Sequence, residues 1–414
     1  MAVIFFLFLA SQVPSEAEET EAAWEAGGLE GYRRLLERKR DEWKNVPLNV
    51  AVIGNSGVGK SSFINAIRGV TADDKGAAKV GVTKTTIEIR SYPHPDNMMM
   101  KFWELPGVGT NQFSRSTYLD DIDVDRFDFF LLLTAGSFTE NDTWLGNEFR
   151  KRHKKYLFLR TKIANDISDD KREHPGTHNE EAVIDKIRQD ITNYLRASGC
   201  GDVPVFLIDN YKLNKFEFEK LKQQVIKDFY DEKRSALIFS LLCASEEMIR
   251  LKMAELRSRI WRWAALSAAG AAVPLPGLSV MLDIVILTTM ASFYYGQLGL
   301  DSESRQRYVR LYSANPERMR STVVGALGER AGGGITGDDM KSIVLVIIAR
   351  SSLSLAASAV GTAAKIYLPL LGSLIAAPLS LGATYLALKL ILDKFEKTSI
   401  EVMQFLTVSS AMSE

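Results

Sequence analysis

Residues 54–61, GNSGVGKS, set glycines, a lysine and a serine at the spacing G-x-x-x-x-G-K-S, which suits a polyphosphate. Gly54, Gly57 and Gly59 let the backbone curl so that its N–H groups turn inward, and the amino end of the next helix adds positive potential. Lys60 is placed to reach the β- and γ-phosphates and Ser61 to ligate Mg²⁺, with Asn55, Ser56, Val58 and Ser62 completing the phosphate-binding run. A glycine-rich turn that binds nothing is the bland alternative. Lys and Ser falling in register between a predicted strand and a predicted helix argue against it.

A second phosphate-sensing element is WELPGVGT, where Gly107 follows Glu104 by three residues, the spacing of D-x-x-G with Glu for Asp. In that role Glu104 holds a water of the Mg²⁺ shell and Gly107 offers its N–H to the γ-phosphate, a contact broken by hydrolysis. Between the two elements, GAAKVGVTKTTIEIR offers Thr83, Thr85 and Thr86 as candidates to complete the metal shell; three threonines before a strand also suit β-structure alone. Val108 stands where a water-orienting glutamine would follow the second element, so slow intrinsic turnover is expected and no catalytic residue is assigned.

The loop LRTKIANDIS, residues 159–168, has nearly the T-K-x-D form that reads guanine. Thr161 and Lys162 are in place, and the lysine methylenes would cover one face of the base. Ala164 stands at the aspartate position and can accept nothing from the guanine N1–H and N2–H groups. Losing two charge-assisted hydrogen bonds of about 1.5–3 kcal/mol each removes roughly two to four decades of guanine affinity unless another group compensates. Asn165 and Asp166 follow at once, and a shift of the loop by one or two residues could bring an amide or a carboxylate back to the base edge. Three outcomes are open: Asp166 turns to the base edge after such a shift, guanine binding is weakened, or adenine is used. After the run VPVFLI, Asp209 and Asn210 form the last expected base loop, with backbone N–H groups for the guanine O6.

These residues need a scaffold. From Leu48 the apolar runs LNVAVIG, MMMKFWEL, FDFFLLLTA, KYLFLR and VPVFLI alternate with helical segments, predicting a mostly parallel sheet wrapped by helices that ends near Asp231. The division expected is an apolar start and helical segment over 1–45, a P-loop GTPase domain over 46–231 and a helical domain over 232–414. The fold class is thus an α/β P-loop domain plus an all-helical domain built from both ends of the chain.

Composition adds boundaries. Of 414 residues, 51 are Lys or Arg and 51 Asp or Glu, so no overall field draws the chain to nucleic acid or anionic lipid. Cys200 and Cys243 suggest neither a disulfide framework nor a zinc site, and His174 and His178 sit in a Pro/Gly loop without an evident third ligand. MAVIFFLFLASQ is apolar enough for a signal or anchor but has no preceding basic residue, and a packed N-terminus is the alternative. Ala2 rules out N-myristoylation. Residues 366–388 carry no charge and are long enough to span a bilayer, yet Pro369, Gly372, Pro378 and Gly382 divide them; residues 264–282 are likewise uncharged and cut by VPLPG. Buried helical core, a hairpin dipping into membrane and a true span are the competing readings.

The pieces GNSGVGKSSFINAIRG, GAAKVGVTKTT, FWELPGVGT, YLDDID before DFFLLLTA, and LRTKIANDI occur in order, and with them the chain resembles the immunity-related GTPases of the interferon-inducible p47 type. The likeness covers about residues 30–300. It implies GTP and GDP as ligands, Mg²⁺ as cofactor and Thr86 as the switch threonine. It further implies slow hydrolysis, homo-oligomers formed through the nucleotide face, related GTPases as partners, and action in cell-autonomous defence. The place implied is the cytoplasmic side of intracellular membranes, endoplasmic reticulum or vacuole. Glu104 in place of Asp, Lys84 in place of an acid and Ala164 depart from the family pattern.

Overall fold

In the computed structural model the described residues are 2–81, 88–109, 113–229, 231–271, 278–328, 331, 336–358 and 381–411. They form two compact units. One consists of Trp43–Leu242 with Arg307–Ala314 and Leu406–Glu414; the other of Met1–Glu42, Cys243–Gln306 and Asn315–Phe405.

The chain opens with helix α1 (Ala2–Arg40), which belongs to the helical unit. Its apolar start is therefore helical, and the helix is interrupted at Gly27 and Gly28, the latter at φ 55°, a left-handed conformation that glycine adopts without a Cβ clash.

In the α/β unit the apolar runs become strands β1 (Leu48–Gly54), β2 (Arg90–His94), β3 (Asn97–Glu104), β4 (Phe129–Thr134), β5 (Lys155–Arg160) and β6 (Val205–Leu207). Their order is β2-β3-β1-β4-β5-β6; β2 pairs antiparallel with β3 and every other pair is parallel. Helices α2 (Lys60–Ile67), α3 (Tyr118–Asp121), α4 (Glu140–Lys151), α5 (Ile163–Glu173), α6 (Glu180–Ala197), α7 (Phe218–Asp228) and α8 (Asp231–Ser240) accompany it. Every residue of β4, FFLLLT, is buried, as a strand covered on both faces requires. Phe130 from this strand stacks on Phe149 of α4 at 4.1 Å between ring centroids, which ties helix to sheet.

Sequence periodicity missed β2, whose RSYPH is half exposed and contains Pro93, a residue confined to sheet edges. It also missed α5, read as part of a loop. The α/β unit runs to Leu242, past the Asp231 expected, because α8 packs on α7 and β3.

The helical unit continues with α9 (Glu246–Ala271), α10 (Leu278–Gln297), α11 (Ser302–Tyr312), α12 (Pro316–Leu327), α13 (Gly337–Ser358) and α14 (Leu381–Ala411). α1 packs along α9 and α10, and α10 along α13. Only the first half of α11 and α14 up to Phe405 belong here: Arg307–Ala314 and Leu406–Glu414 count with the α/β unit. There Arg307 donates from both terminal nitrogens to Asp96 at 2.7 and 3.0 Å, Arg310 to Asp74 at 2.6 Å, and the Tyr312 hydroxyl to Glu219 at 3.2 Å.

Among the described residues no helix is long and apolar enough to cross a membrane. Residues 359–380, which include most of the uncharged run 366–388, and 272–277 of the other run lie outside the described residues. Cys200 and Cys243 are buried free thiols. His178 bonds Asp170 at 2.7 Å, and among the described residues no group of three metal-binding side chains occurs.

Candidate functional site

β1 lies between β3 and β4, so the loops leaving its two sides diverge and open a crevice at the carboxyl ends of the strands. The motifs found in the sequence leave from those ends. GNSGVGK follows β1, Glu104 closes β3, Thr161 follows β5, and Asp209 follows β6.

The phosphate loop is held from below. A Cβ on Gly54 would stand 2.3 Å from the Leu133 carbonyl oxygen, so no side chain fits where β1 turns away beside β4. Gly59 has φ 89° and opens α2 as its N-cap. The Lys60 ammonium donates to the carbonyls of Gly54 at 2.8 Å and Asn55 at 3.2 Å, curled over the mouth of the loop. Burial lowers its pKa, with Glu104 acting in the opposite sense. A lysine desolvated in this way gains from an anion placed beside it.

At the other side of the loop the Ser61 hydroxyl donates to Glu104 Oε1 at 2.9 Å. Both carry hard oxygens: Ser61 could ligate Mg²⁺ directly, and Glu104, beside it, could accept from a water of the metal shell. The pair therefore fits the metal that the sequence implies, and the longer glutamate arm still reaches the hydroxyl. Gly107 packs against the same loop: a Cβ there would meet Asn55 Oδ1 at 3.2 Å and the Gly54 oxygen at 3.3 Å. The buried Tyr118 hydroxyl donates to the Pro106 carbonyl at 2.7 Å, and Asn141 Nδ2 to the Val108 carbonyl at 3.2 Å, fixing the segment around Gly107. Thr83, Lys84, Thr85 and Thr86 lie outside the described residues.

The base loop is bonded to the phosphate loop. Fully buried Thr161 directs its hydroxyl to the carbonyls of Val58 at 2.7 Å and Thr134 at 3.1 Å. Asn210 Nδ2 donates to the Gly59 carbonyl at 3.1 Å. Lys162 adopts φ 61°, ψ 29°, a left-handed conformation that costs a non-glycine residue about 1–2 kcal/mol. Arg160 braces this turn, donating to the Thr161 carbonyl and to Asp166 Oδ2, each at 2.7 Å. Burial lowers the Arg160 pKa and raises that of Asp166, against the mutual attraction of the two charges. Desolvation thus offsets the pair, which acts as a brace more than as a source of stability.

A cavity of about 300 Å³ joins the two loops, lined at one end by Ser56, Gly57, Gly59, Lys60, Ser61, Ser62 and Glu104 and at the other by Lys162, Asn165, Asp209, Asn210 and Tyr211. Asp166 is not on this wall. The expectation that it turns to the base edge gives way to its ion pair with Arg160. Asn165, the amide next to Ala164, is on the wall, and so is Tyr211, which was not singled out in the sequence; Tyr211, 75% exposed, bonds hydroxyl to hydroxyl with Ser62 at 3.0 Å. An aromatic residue next to an Asx pair at a strand end was the available clue.

Residues 14–323 match the interferon-inducible GTPase family (IIGP). The chain belongs to that family. It is 32% identical to interferon-inducible GTPase 5 of Rattus norvegicus over 374 residues, 90% of this chain and 79% of the relative. It is 34% identical to interferon-inducible GTPase 1 of Mus musculus over 278 residues, 67% of each chain. Among solved structures, the NFeoB of S. thermophilus bound to GMPPNP aligns with a TM-score of 0.29 and 15% identity over 59% of this chain and 80% of its own. The protein is a GTP-binding GTPase of the interferon-inducible type, with the P-loop α/β domain that its strand order displays.

Proposed function

We propose that the cavity binds GTP with Mg²⁺ and that the triphosphate sets the conformation of the loops around it. The reading is carried by one observation: Lys60, curled over the Gly54 and Asn55 carbonyls, and the Ser61–Glu104 pair line one cavity where β1 gives way to α2. Gly54, Asn55, Ser56, Gly57, Val58, Gly59 and Ser62 surround the phosphates. Ser61, Glu104 and Thr86 hold the metal, which when bound neutralises charge on the β- and γ-phosphates. Gly107 offers its N–H to the γ-phosphate. Thr161 joins base loop to phosphate loop, Lys162 covers the base, and Asp209 and Asn210 close the far wall.

Hydrolysis by the isolated chain is slow, because Val108 is apolar where water would be oriented. A second copy docked across the nucleotide supplies the missing groups, so turnover rises with protein concentration. Homo-oligomers, and assemblies with related GTPases, act on intracellular membranes in the interferon response. The interferon response is supported by the interferon-inducible names of the relatives, and the oligomers and membranes by the resemblance alone.

Titration with GTP, GDP and ATP, followed by turnover at rising protein concentration, tests it. Specific turnover that climbs with concentration supports the enzyme; binding with flat, negligible turnover favours a nucleotide-binding regulator. Uptake of nucleotide by the Lys60→Ala protein equal to wild type removes the site.

A further inference from the structure

Ala164 removes the carboxylate that position offers guanine, and Asp166 is engaged by Arg160 away from the cavity wall. The wall nevertheless carries two carboxylates, Glu104 and Asp209. Glu104 is bonded to Ser61 at the phosphate end. Asp209 is at the other end, among Lys162, Asn165, Asn210 and Tyr211, and is 5% exposed.

Strand register explains how it arrives there. Arg160 pairs with Leu207, and the ladder continues beyond the strands: Ile208 N–H donates to the Arg160 carbonyl at 2.8 Å and Ile163 N–H to the Ile208 carbonyl at 3.4 Å. The T-K turn after β5 and the Asp209–Asn210 turn after β6 are thereby bonded to each other. Asp209 Oδ1 accepts the Tyr211 N–H at 2.9 Å, which fixes the side chain in an Asx turn at the cavity wall. Asn210 Oδ1, in a residue 9% exposed, is a buried acceptor with no partner on the same wall.

We infer that Asp209 supplies the guanine-reading carboxylate, moved from the loop after β5 to the loop after β6. The inference rests on the nucleotide reading of this cavity. Guanine presents two donors, N1–H and the 2-amino group, which suit a carboxylate. Xanthine carries an oxygen at C2, which a carboxylate repels and an amide NH₂ satisfies. The substrate is thus a 2-amino-6-oxopurine nucleoside triphosphate, and selectivity is set at Asp209.

The test is competition by GTP, XTP and ATP against a fluorescent GTP analogue on the full chain. Wild type is expected to prefer GTP over XTP and over ATP by about 100-fold or more. Asp209→Asn keeps an oxygen for the Tyr211 N–H, weakens GTP by roughly 100-fold and brings XTP level with it or ahead. Asp166→Asn leaves the GTP-to-XTP ratio at the wild-type value. Equal binding of GTP and XTP by wild type, an unmoved ratio in Asp209→Asn, or an equal shift in Asp166→Asn overturns the assignment while the nucleotide site stands. Failure of all three nucleotides to compete removes the site and this inference together.

Discussion

Replacing Thr161 with valine tests the bond between the base loop and the phosphate loop at nearly constant volume. The side chain is fully buried, and its hydroxyl serves the carbonyls of Val58 and Thr134. Thr134 retains a donor, the Thr161 N–H at 2.8 Å, so the Val58 carbonyl bears the loss. A buried acceptor deprived of its partner costs about 1–3 kcal/mol, and for a unit of this size each kcal/mol lowers the melting temperature by about 2–4 °C. The Thr161→Val protein should therefore melt about 4–8 °C lower for a loss of 2 kcal/mol, with GTP bound more weakly because the phosphate loop is less well held. Thr161→Ser, which keeps the hydroxyl, should restore most of both. Scanning calorimetry of the α/β transition, with GTP titration on the same samples, measures each effect. A valine variant that melts and binds like wild type would refute the claim that this hydroxyl couples the two loops.

Three further outcomes are expected. Gly107→Ala sets a methyl 3.2 Å from Asn55 Oδ1 and should reduce the preference for GTP over GDP, measured by parallel titrations; an unchanged ratio removes Gly107 from γ-phosphate sensing. Burial holds the Lys60 pKa below its ordinary value, so the free protein binds fewer protons there than the complex, in which phosphate raises it again; at alkaline pH nucleotide binding should take up protons, seen as a dependence of calorimetric heat on buffer ionisation enthalpy that Lys60→Ala abolishes. The sign for stability is the same physics: with the folded pKa depressed, the unfolded chain holds the extra proton, and the cost of the buried lysine falls as pH rises toward the unfolded value. Arg307→Ala loses a bidentate pair whose partner Asp96 is 40% exposed, so about 1 kcal/mol and a drop of a few degrees in melting temperature are expected; no shift would show the pair to be cosmetic.

The phosphate end was legible because its chemistry is local. GNSGVGKS needs only a strand before it and a helix after it, and both periodicities were visible on either side. Glu104 was found by spacing, and its reach to Ser61 needed coordinates only to be measured. The base end was harder, because its residues come from two turns brought together by the β5–β6 ladder. From sequence alone Asp166 was two residues from the vacant position and Asp209 was 45 residues away, so proximity along the chain favoured Asp166, which the fold pairs with Arg160. The strand β2 escaped because an edge strand lacks the continuous apolar run that a buried one shows. The helical unit was legible as helix but not in its pairing, since a helical period shows an apolar face without naming the helix that covers it.

The second half of α11 bears on how this protein can be dissected. A fragment cut at Leu242 contains every strand and both loops, yet it discards Arg307, Arg310 and Tyr312, whose side chains bond Asp96, Asp74 and Glu219. Such a fragment would leave Asp96, in the β2–β3 turn, without its bidentate arginine. A nucleotide-binding piece made for crystallisation or spectroscopy should carry residues 307–314 as a tethered extension, which keeps these bonds.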